Sequence, residues 1–363
     1  MMRGENHMML VLFCLIVFSH FLPLVNSNPQ LAPAFYVFGD SLLDSGNNNL
    51  LPTLARANFK PYGVDFPGGA TGRFTNGRTV ADFLAEFLGL PLSPPYLSFR
   101  RLETSTGLNY ASSTCGILPE TGTSAGKCLN LDEQIDLFEK TVREDLPKLF
   151  KNTEGLLEYL SKSIFLIATG SNDYSGNYLQ PNSYSSRLYS PLSFAQLLTQ
   201  SLSQKLERLY KLGARKVITF EIGPIGCQPS ISRQYMHKYG QCVEEINNLV
   251  SLFNDQLATV LSKLTSTLPG SAFILGHDYG LTYDAIRNPS TYGLTDTSDP
   301  CCTTWLNGTS ACIPEIAPCA NPNEHFFWDG FHPTEAVYSV IASQCFNGDS
   351  VCIPTNLKML TQI

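Results

Sequence analysis

Apolar and polar positions alternate between two periods along the chain. Residues 34–38, Ala-Phe-Tyr-Val-Phe, form a continuous aromatic and β-branched run that stops at Gly39-Asp40-Ser41, the pattern of a buried strand ending in a loop. Residues 164–169, 216–220 and 272–275 have the same form, and each follows a helical stretch. Apolar residues spaced by three and four predict helices over 79–88, 131–150, 191–212, 243–268 and 334–343. Pro147 is expected to end or kink the second of these, because it offers no amide to the helical ladder. Short apolar strands alternating with amphipathic helices predict an α/β fold, with a mainly parallel sheet covered on both faces. A further strand is placed at 107–111.

Three segments resist this pattern: 47–77, 175–190 and 279–324. They are rich in Gly, Pro, Asn, Ser and Tyr and read as long loops, which at this length tend to be functional or to hide short elements. No internal repeat or linker divides the chain, so residues 28–363 are read as one domain. The first 27 residues read as a signal peptide. Arg3 precedes an apolar run over 8–18, and Val25-Asn26-Ser27 offers small residues for cleavage after Ser27. Ser19 and His20 interrupt the run before it reaches the roughly 20 residues that span a bilayer, which favours secretion over an anchor.

Composition narrows the classes. Only 15% of residues are charged while 43% are hydrophobic, so the chain can bury a core and is not a disordered protein. The net charge of -7, with no basic run, excludes an electrostatic nucleic-acid binder. Removal of Cys14 with the signal leaves ten of the 11 cysteines, an even set that fits an oxidising compartment. Proximity pairs Cys115 with Cys128, Cys227 with Cys242 and Cys345 with Cys352. The four from Cys301 to Cys319 pair among themselves in an order the sequence leaves open. Their spacing lacks the two CxxC knuckles of a zinc site, so no metal is expected. Asn307-Gly308-Thr309 is the only N-x-S/T sequon with a permitted middle residue and is read as a glycosylated surface loop.

In a parallel α/β sheet the ligand crevice lies beyond the carboxyl ends of the strands, and the first strand delivers Ser41 there. Ser41 is a candidate nucleophile, with a turn or helix cap as the plainer alternative. A nucleophilic serine needs a base, and the base needs an orienting group. After the signal is removed the histidines are His237, His277, His325 and His332. His332 stands three residues after an acid, in Asp329-Gly330-Phe331-His332, where a tight turn lets the carboxylate hold the imidazole tautomer. His277 beside Asp278 is the rival pair, but adjacent side chains at a strand end point apart. His237 has no acid beside it, and His325 reads as a loop residue or a substrate contact. The negative oxygen of a tetrahedral intermediate needs donors, for which the Ser41 amide, Gly116 and Asn172 are candidates. Asn172 has an Asx-turn or helix cap as its alternative.

Four separated blocks carry a resemblance. The run from Phe38 through Gly39-Asp40-Ser41-Leu42 to Asn49 resembles the first block of the plant GDSL esterase/lipases, within the SGNH hydrolase superfamily. The others follow in order: residues 109–117, Asn-Tyr-Ala-Ser-Ser-Thr-Cys-Gly-Ile; Gly170-Ser171-Asn172-Asp173-Tyr174; and residues 329–334, Asp-Gly-Phe-His-Pro-Thr. Residues 72–78 and Gly223-Pro224-Ile225-Gly226-Cys227 are also similar to family strings. The resemblance implies a three-layer α/β/α sandwich, with Ser41 as nucleophile, His332 as base, Asp329 as its orienter, and Ser41, Gly116 and Asn172 around the oxyanion. The second block departs at Ser113-Thr114-Cys115, where small Ala or Gly residues are more usual; a disulfide from Cys115 is expected to brace it. Gly39-Asp40-Ser41-Leu42-Leu43 lacks the second glycine of G-x-S-x-G, which argues against the ordinary α/β-hydrolase fold.

The expectation is a secreted, extracellular Ser-His-Asp carboxylic ester hydrolase that uses no cofactor and no metal. It acts as a monomer on small-molecule or lipid-like esters, with no nucleic-acid partner and no transmembrane anchor. The alternatives are an acyltransferase on the same site, and a secreted binding or defence protein without turnover.

Overall fold

The computed structural model describes residues 29–98, 104–235 and 241–363. The signal-peptide assignment over 1–27 and His237 lie outside the described residues. Four strands, β1 Phe35–Gly39, β2 Ile164–Ala168, β3 Lys216–Phe220 and β4 Ala272–Gly276, lie side by side in that order, all parallel. Phe35 pairs with Ile164 and Gly39 with Ala168, so the carboxyl ends are level. Two short strands, β5 Asp296–Pro300 and β6 His325–Phe327, pair parallel in a separate ribbon, and β7 Cys352–Ile353 runs antiparallel on β4.

The four parallel strands are almost wholly apolar because both faces are covered, the exceptions being Lys216 and Thr219 of β3. Tyr36, Phe38, Phe165, Ile167 and Val217 point to one face, where they pack against helices α2 Leu131–Lys140, α3 Thr153–Lys162, α4 Pro191–Lys211 and α5 Glu244–Thr267. The alternate residues Phe35, Val37, Ile164, Leu166 and Ile218 point to the other face, against α1 Val80–Phe87, α6 Tyr279–Arg287 and α7 Glu335–Asn347. The result is the three-layer α/β/α arrangement expected. A third, smaller cluster of Tyr62, Phe74, Trp328 and the Cys302–Cys312 disulfide packs the 47–77 loop against the segment that carries His332.

Several expectations are corrected. At 107–111 only Asn109 bridges to β1, through Val37. The Asn109 side chain accepts from the Ala111 amide at 2.9 Å and donates to the Leu43 carbonyl at 2.7 Å, while Gly107, at a φ of 103°, lies close against the Phe35 backbone. The helix expected over 131–150 is regular only to Lys140, then widens into a π turn over Thr141–Asp145 and tightens at Leu146–Lys148. Pro147 removes an amide there, and the Thr141 hydroxyl donates back to the Leu137 carbonyl at 3.1 Å. The segment 279–324 holds α6 and β5, and the segment 175–190 holds a helical turn over Tyr184–Leu188. Helix α3 was not foreseen; Asn152 caps it by accepting from the Gly155 amide at 2.9 Å.

All ten described cysteines are disulfide-bonded. Cys115–Cys128, Cys227–Cys242 and Cys345–Cys352 pair as expected, and the open set resolves as Cys301–Cys319 enclosing Cys302–Cys312. Asn307 lies exposed inside the inner loop.

Candidate active site

The first strand ends in a close approach that only glycine permits. A Cβ on Gly39 would lie 2.1 Å from the Ala168 carbonyl oxygen, and Gly39 sits at a φ of 148°. Its backbone amide and carbonyl are both taken by the Gln134 side chain, each at 2.8 Å, so one amide side chain of α2 fixes the end of β1. Ser41 follows on the turn. Its hydroxyl lies 2.7 Å from His332 Nε2, and His332 Nδ1 lies 2.8 Å and 2.9 Å from the two carboxylate oxygens of Asp329.

The Asp329 carboxylate is fully buried and held from several directions. Its Oδ1 accepts the Phe331 and His332 amides, both at 2.9 Å, so the tight turn closes on its own side chain. Its Oδ2 accepts the Tyr62 hydroxyl at 2.6 Å, and that hydroxyl accepts the Cys312 amide at 3.2 Å. Burial first, and then the Asp329 charge, hold the Tyr62 phenol well above its ordinary pKa, so it stays protonated and donating. The Phe74 ring packs 5.2 Å from the imidazole. Sequence reasoning missed Tyr62: it sits in an unpatterned loop, 267 positions from its partner.

The polar residues of the first block build the wall of the site. Asp44 accepts the Gly46 and Asn47 amides at 2.7 Å and, more weakly, those of Asn48 and Ser113 at 3.3 Å. Asn47 donates to the Asn109 and Ala111 carbonyls at 2.9 Å. Asn48 donates to the Ser113 carbonyl at 3.2 Å and accepts the Ser112 hydroxyl at 2.6 Å. These amide side chains tie the Ser41 turn to the 109–113 segment. Thr114 there has a φ of 68°, left-handed backbone that glycine adopts more easily, which gives a physical reason for the small residues usual at this place.

Asn172 Nδ2 donates to the Cys115 carbonyl at 3.0 Å, and the amide carries a second N–H. Asp173 beside it is buried and accepts the Ile117 and Leu118 amides at 2.8 Å and 3.0 Å and the Thr121 hydroxyl at 2.8 Å. A Cβ on Gly116 would lie 2.3 Å from Asp173 Oδ2, so glycine is required there on steric grounds. Thr114 and Asn172 line the cleft, while Gly116 is not among its lining residues. The Ser41 amide has no protein acceptor among the described residues. The cleft has a volume of about 330 Å³, with His332, Phe74 and Phe331 also on its walls.

Burial raises three carboxyls near this site. Asp40 is pushed up to about 7, with the Leu42 amide opposing, and Asp44 and Asp173 to about 6. The rival histidine is elsewhere on the rim: His277 Nδ1 lies 2.9 Å from Glu221 Oε1, and no hydrogen bond joins it to Asp278 among the described residues. His325 stands 4.0 Å from Asp296.

A mainly parallel sheet that presents a serine, a histidine and an aspartate hydrogen-bonded in series is an arrangement common to several classes of serine hydrolase. The chain is a member of the GDSL-like lipase/acylhydrolase family, whose model matches residues 35–345. It is 48% identical over 322 residues to "GDSL esterase/lipase 7" of Arabidopsis thaliana, covering 87% of this chain and 88% of that relative. Two further Arabidopsis thaliana GDSL esterase/lipases are 42% identical over 340 residues and 41% identical over 345. They cover 91% and 94% of this chain, and 88% and 89% of their own lengths. The protein is thus an esterase/lipase that acts on small ester substrates. No helix of the described residues is long and apolar enough to cross a membrane.

Proposed function

We propose that the protein is a secreted carboxylic ester hydrolase working through a Ser41-His332-Asp329 triad and an acyl-enzyme. The carrying observation is the unbroken series from Ser41 Oγ to His332 Nε2 at 2.7 Å and from His332 Nδ1 to Asp329 at 2.8 Å. Ser41 Oγ attacks the ester carbonyl and His332 Nε2 takes its proton. Asp329 stabilises the imidazolium in place. The Ser41 amide and the second N–H of Asn172 receive the oxyanion, with the Gly116 amide as the third donor that the family resemblance implies. Collapse breaks the bond to the alcohol, which leaves with the proton from His332. Water then adds to the acyl-Ser41 carbonyl, giving its proton to His332, and the carboxylic acid departs with Ser41 regenerated.

The same reading takes residues 1–27 as a signal peptide, residues 28–363 as one monomeric domain, and exposed Asn307 as a glycan acceptor. Five disulfides support an oxidising destination. The deciding experiment is Ser41→Ala assayed on p-nitrophenyl acetate. A fall in kcat of roughly 10⁴-fold or more, at an unchanged melting temperature, is expected. Undiminished turnover would overturn the triad.

A further inference from the structure

A second cavity of about 80 Å³ lies behind the catalytic cleft and shares four walls with it: Leu42, Ser171, Gln228 and Phe331. The shared walls make the two spaces neighbours, and one of these walls, Leu42, directly follows Ser41 in the chain. The second cavity runs along the carboxyl ends of the strands. Leu42 follows β1, Ser171 follows β2, Gly223 follows β3 and Asp278 follows β4. Its far walls are apolar, made by Phe220, Ile225, Ile286, Phe326, Phe327 and Ile341.

Two carboxyls on these walls fit an apolar occupant. Glu221 is occupied, since it takes His277 Nδ1 at 2.9 Å and the Tyr279 amide at 3.3 Å. Asp278 is buried, and burial together with the Glu221 charge raises its pKa well above the usual carboxylate range, which disfavours its charged form. One wall position carries no side chain. A Cβ built on Gly223 meets nothing nearer than Thr282 Oγ1 at 3.9 Å, and the backbone there is not left-handed, so a larger residue fits and extends into the space.

Resting on the hydrolase reading, we propose that this cavity is the acyl-chain subsite, that it takes apolar acyl groups of short to medium length, and that Gly223 sets their limit. A single water needs roughly 10–15 Å³ of such volume, so the space holds about half a dozen carbon atoms. Chains of roughly four to eight carbons fill it, while acetyl leaves it empty and palmitoyl exceeds it.

The test is a p-nitrophenyl ester series from acetate to palmitate, read as kcat/KM on the wild type and three variants whose melting temperatures are checked. The wild type is expected to be fastest from butanoate to octanoate. Gly223→Leu lowers the hexanoate-to-acetate ratio about tenfold or more, because excluded methylenes lose that much in an apolar pocket. Gly223→Ala moves the ratio the same way by less, and Ile286→Ala, which enlarges the far end, raises the decanoate-to-acetate ratio. An acetate or palmitate optimum in the wild type, or ratios that none of the three variants moves, overturns the subsite while leaving the esterase intact. A wild type inactive on every ester overturns the hydrolase reading itself.

Discussion

Two histidine-carboxylate pairs stand on the same rim of the sheet, and they differ in what surrounds them. His332 and Asp329 are both buried, and the aspartate takes two backbone amides and a tyrosine hydroxyl besides the imidazole. His277 is about half exposed, with 48% of its side chain open to solvent, and is bonded to Glu221. Only His332 has a serine hydroxyl against its far nitrogen. A carboxylate partner alone therefore does not align a histidine on a serine. Alignment comes from a tight turn that folds onto its own carboxylate, and from walls that leave the ring one orientation.

Exchanging the two histidines one at a time tests that contrast most severely. His332→Ala is expected to lower kcat on p-nitrophenyl acetate by roughly 10⁴-fold or more, since no other histidine or carboxylate hydrogen-bonds the Ser41 hydroxyl among the described residues. His277→Ala is expected to stay within about threefold, the scale of a lost partly exposed contact far from the reacting atoms. Steady-state kinetics on folded protein decides between them. Comparable losses from both variants would mean that the rim is one coupled site.

The buried polar support of Asp329 is the next element to remove. Tyr62→Phe deletes the donor to Oδ2 and keeps the ring that packs on Phe59 and Phe74. A hydrogen bond to a charged group is worth about 1.5–3 kcal/mol to stability. The expected outcome is a kcat about three- to tenfold lower with KM unchanged, because the imidazolium then leans on a less well-held carboxylate. A lower melting temperature with unchanged kcat would reduce Tyr62 to a packing residue.

The contrast also marks how far the chain could be read in advance. The hydrogen-bonded series of Ser41, His332 and Asp329 was legible because each part is local: an apolar strand that runs into Gly39-Asp40-Ser41, and an acid three residues before His332. The four parallel strands were legible because burial on both faces leaves few polar positions, Lys216 and Thr219 of β3, to confuse the run. Helix α6 was not, since Gly280, Thr282 and three tyrosine or aspartate positions dilute its apolar stripe. The edge segment at 107–111 shortens to a single bridge: Leu108 and Tyr110 still bond the Val37 backbone, but the Asn109 side chain takes the Ala111 amide. Tyr62, Gln134 and the nested pairing of Cys301–Cys319 and Cys302–Cys312 depend on contacts between distant segments, and no local period encodes them.

The smallest expected effect concerns the carboxyls that hold the walls rather than the reacting groups. Asp40, Asp44 and Asp173 are fully buried, and burial raises them to about 7, 6 and 6, above the roughly 3.9 of an unfolded aspartate. The folded state therefore binds these protons more tightly than the unfolded state does. Their stabilising contribution is complete below about pH 4 and is lost as pH rises through about 6 to 7. The melting temperature should consequently fall between pH 5 and pH 8, by roughly 2–4 °C for each ~1 kcal/mol lost. Asp40 titrates highest and its Oδ2 has no hydrogen-bond partner among the described residues, so Asp40→Asn should flatten the upper part of that slope. Thermal denaturation of both proteins across this range reads the effect directly. A melting temperature that holds level or climbs from pH 5 to pH 8 would show that these carboxyls ionise in the folded protein as readily as in the unfolded chain.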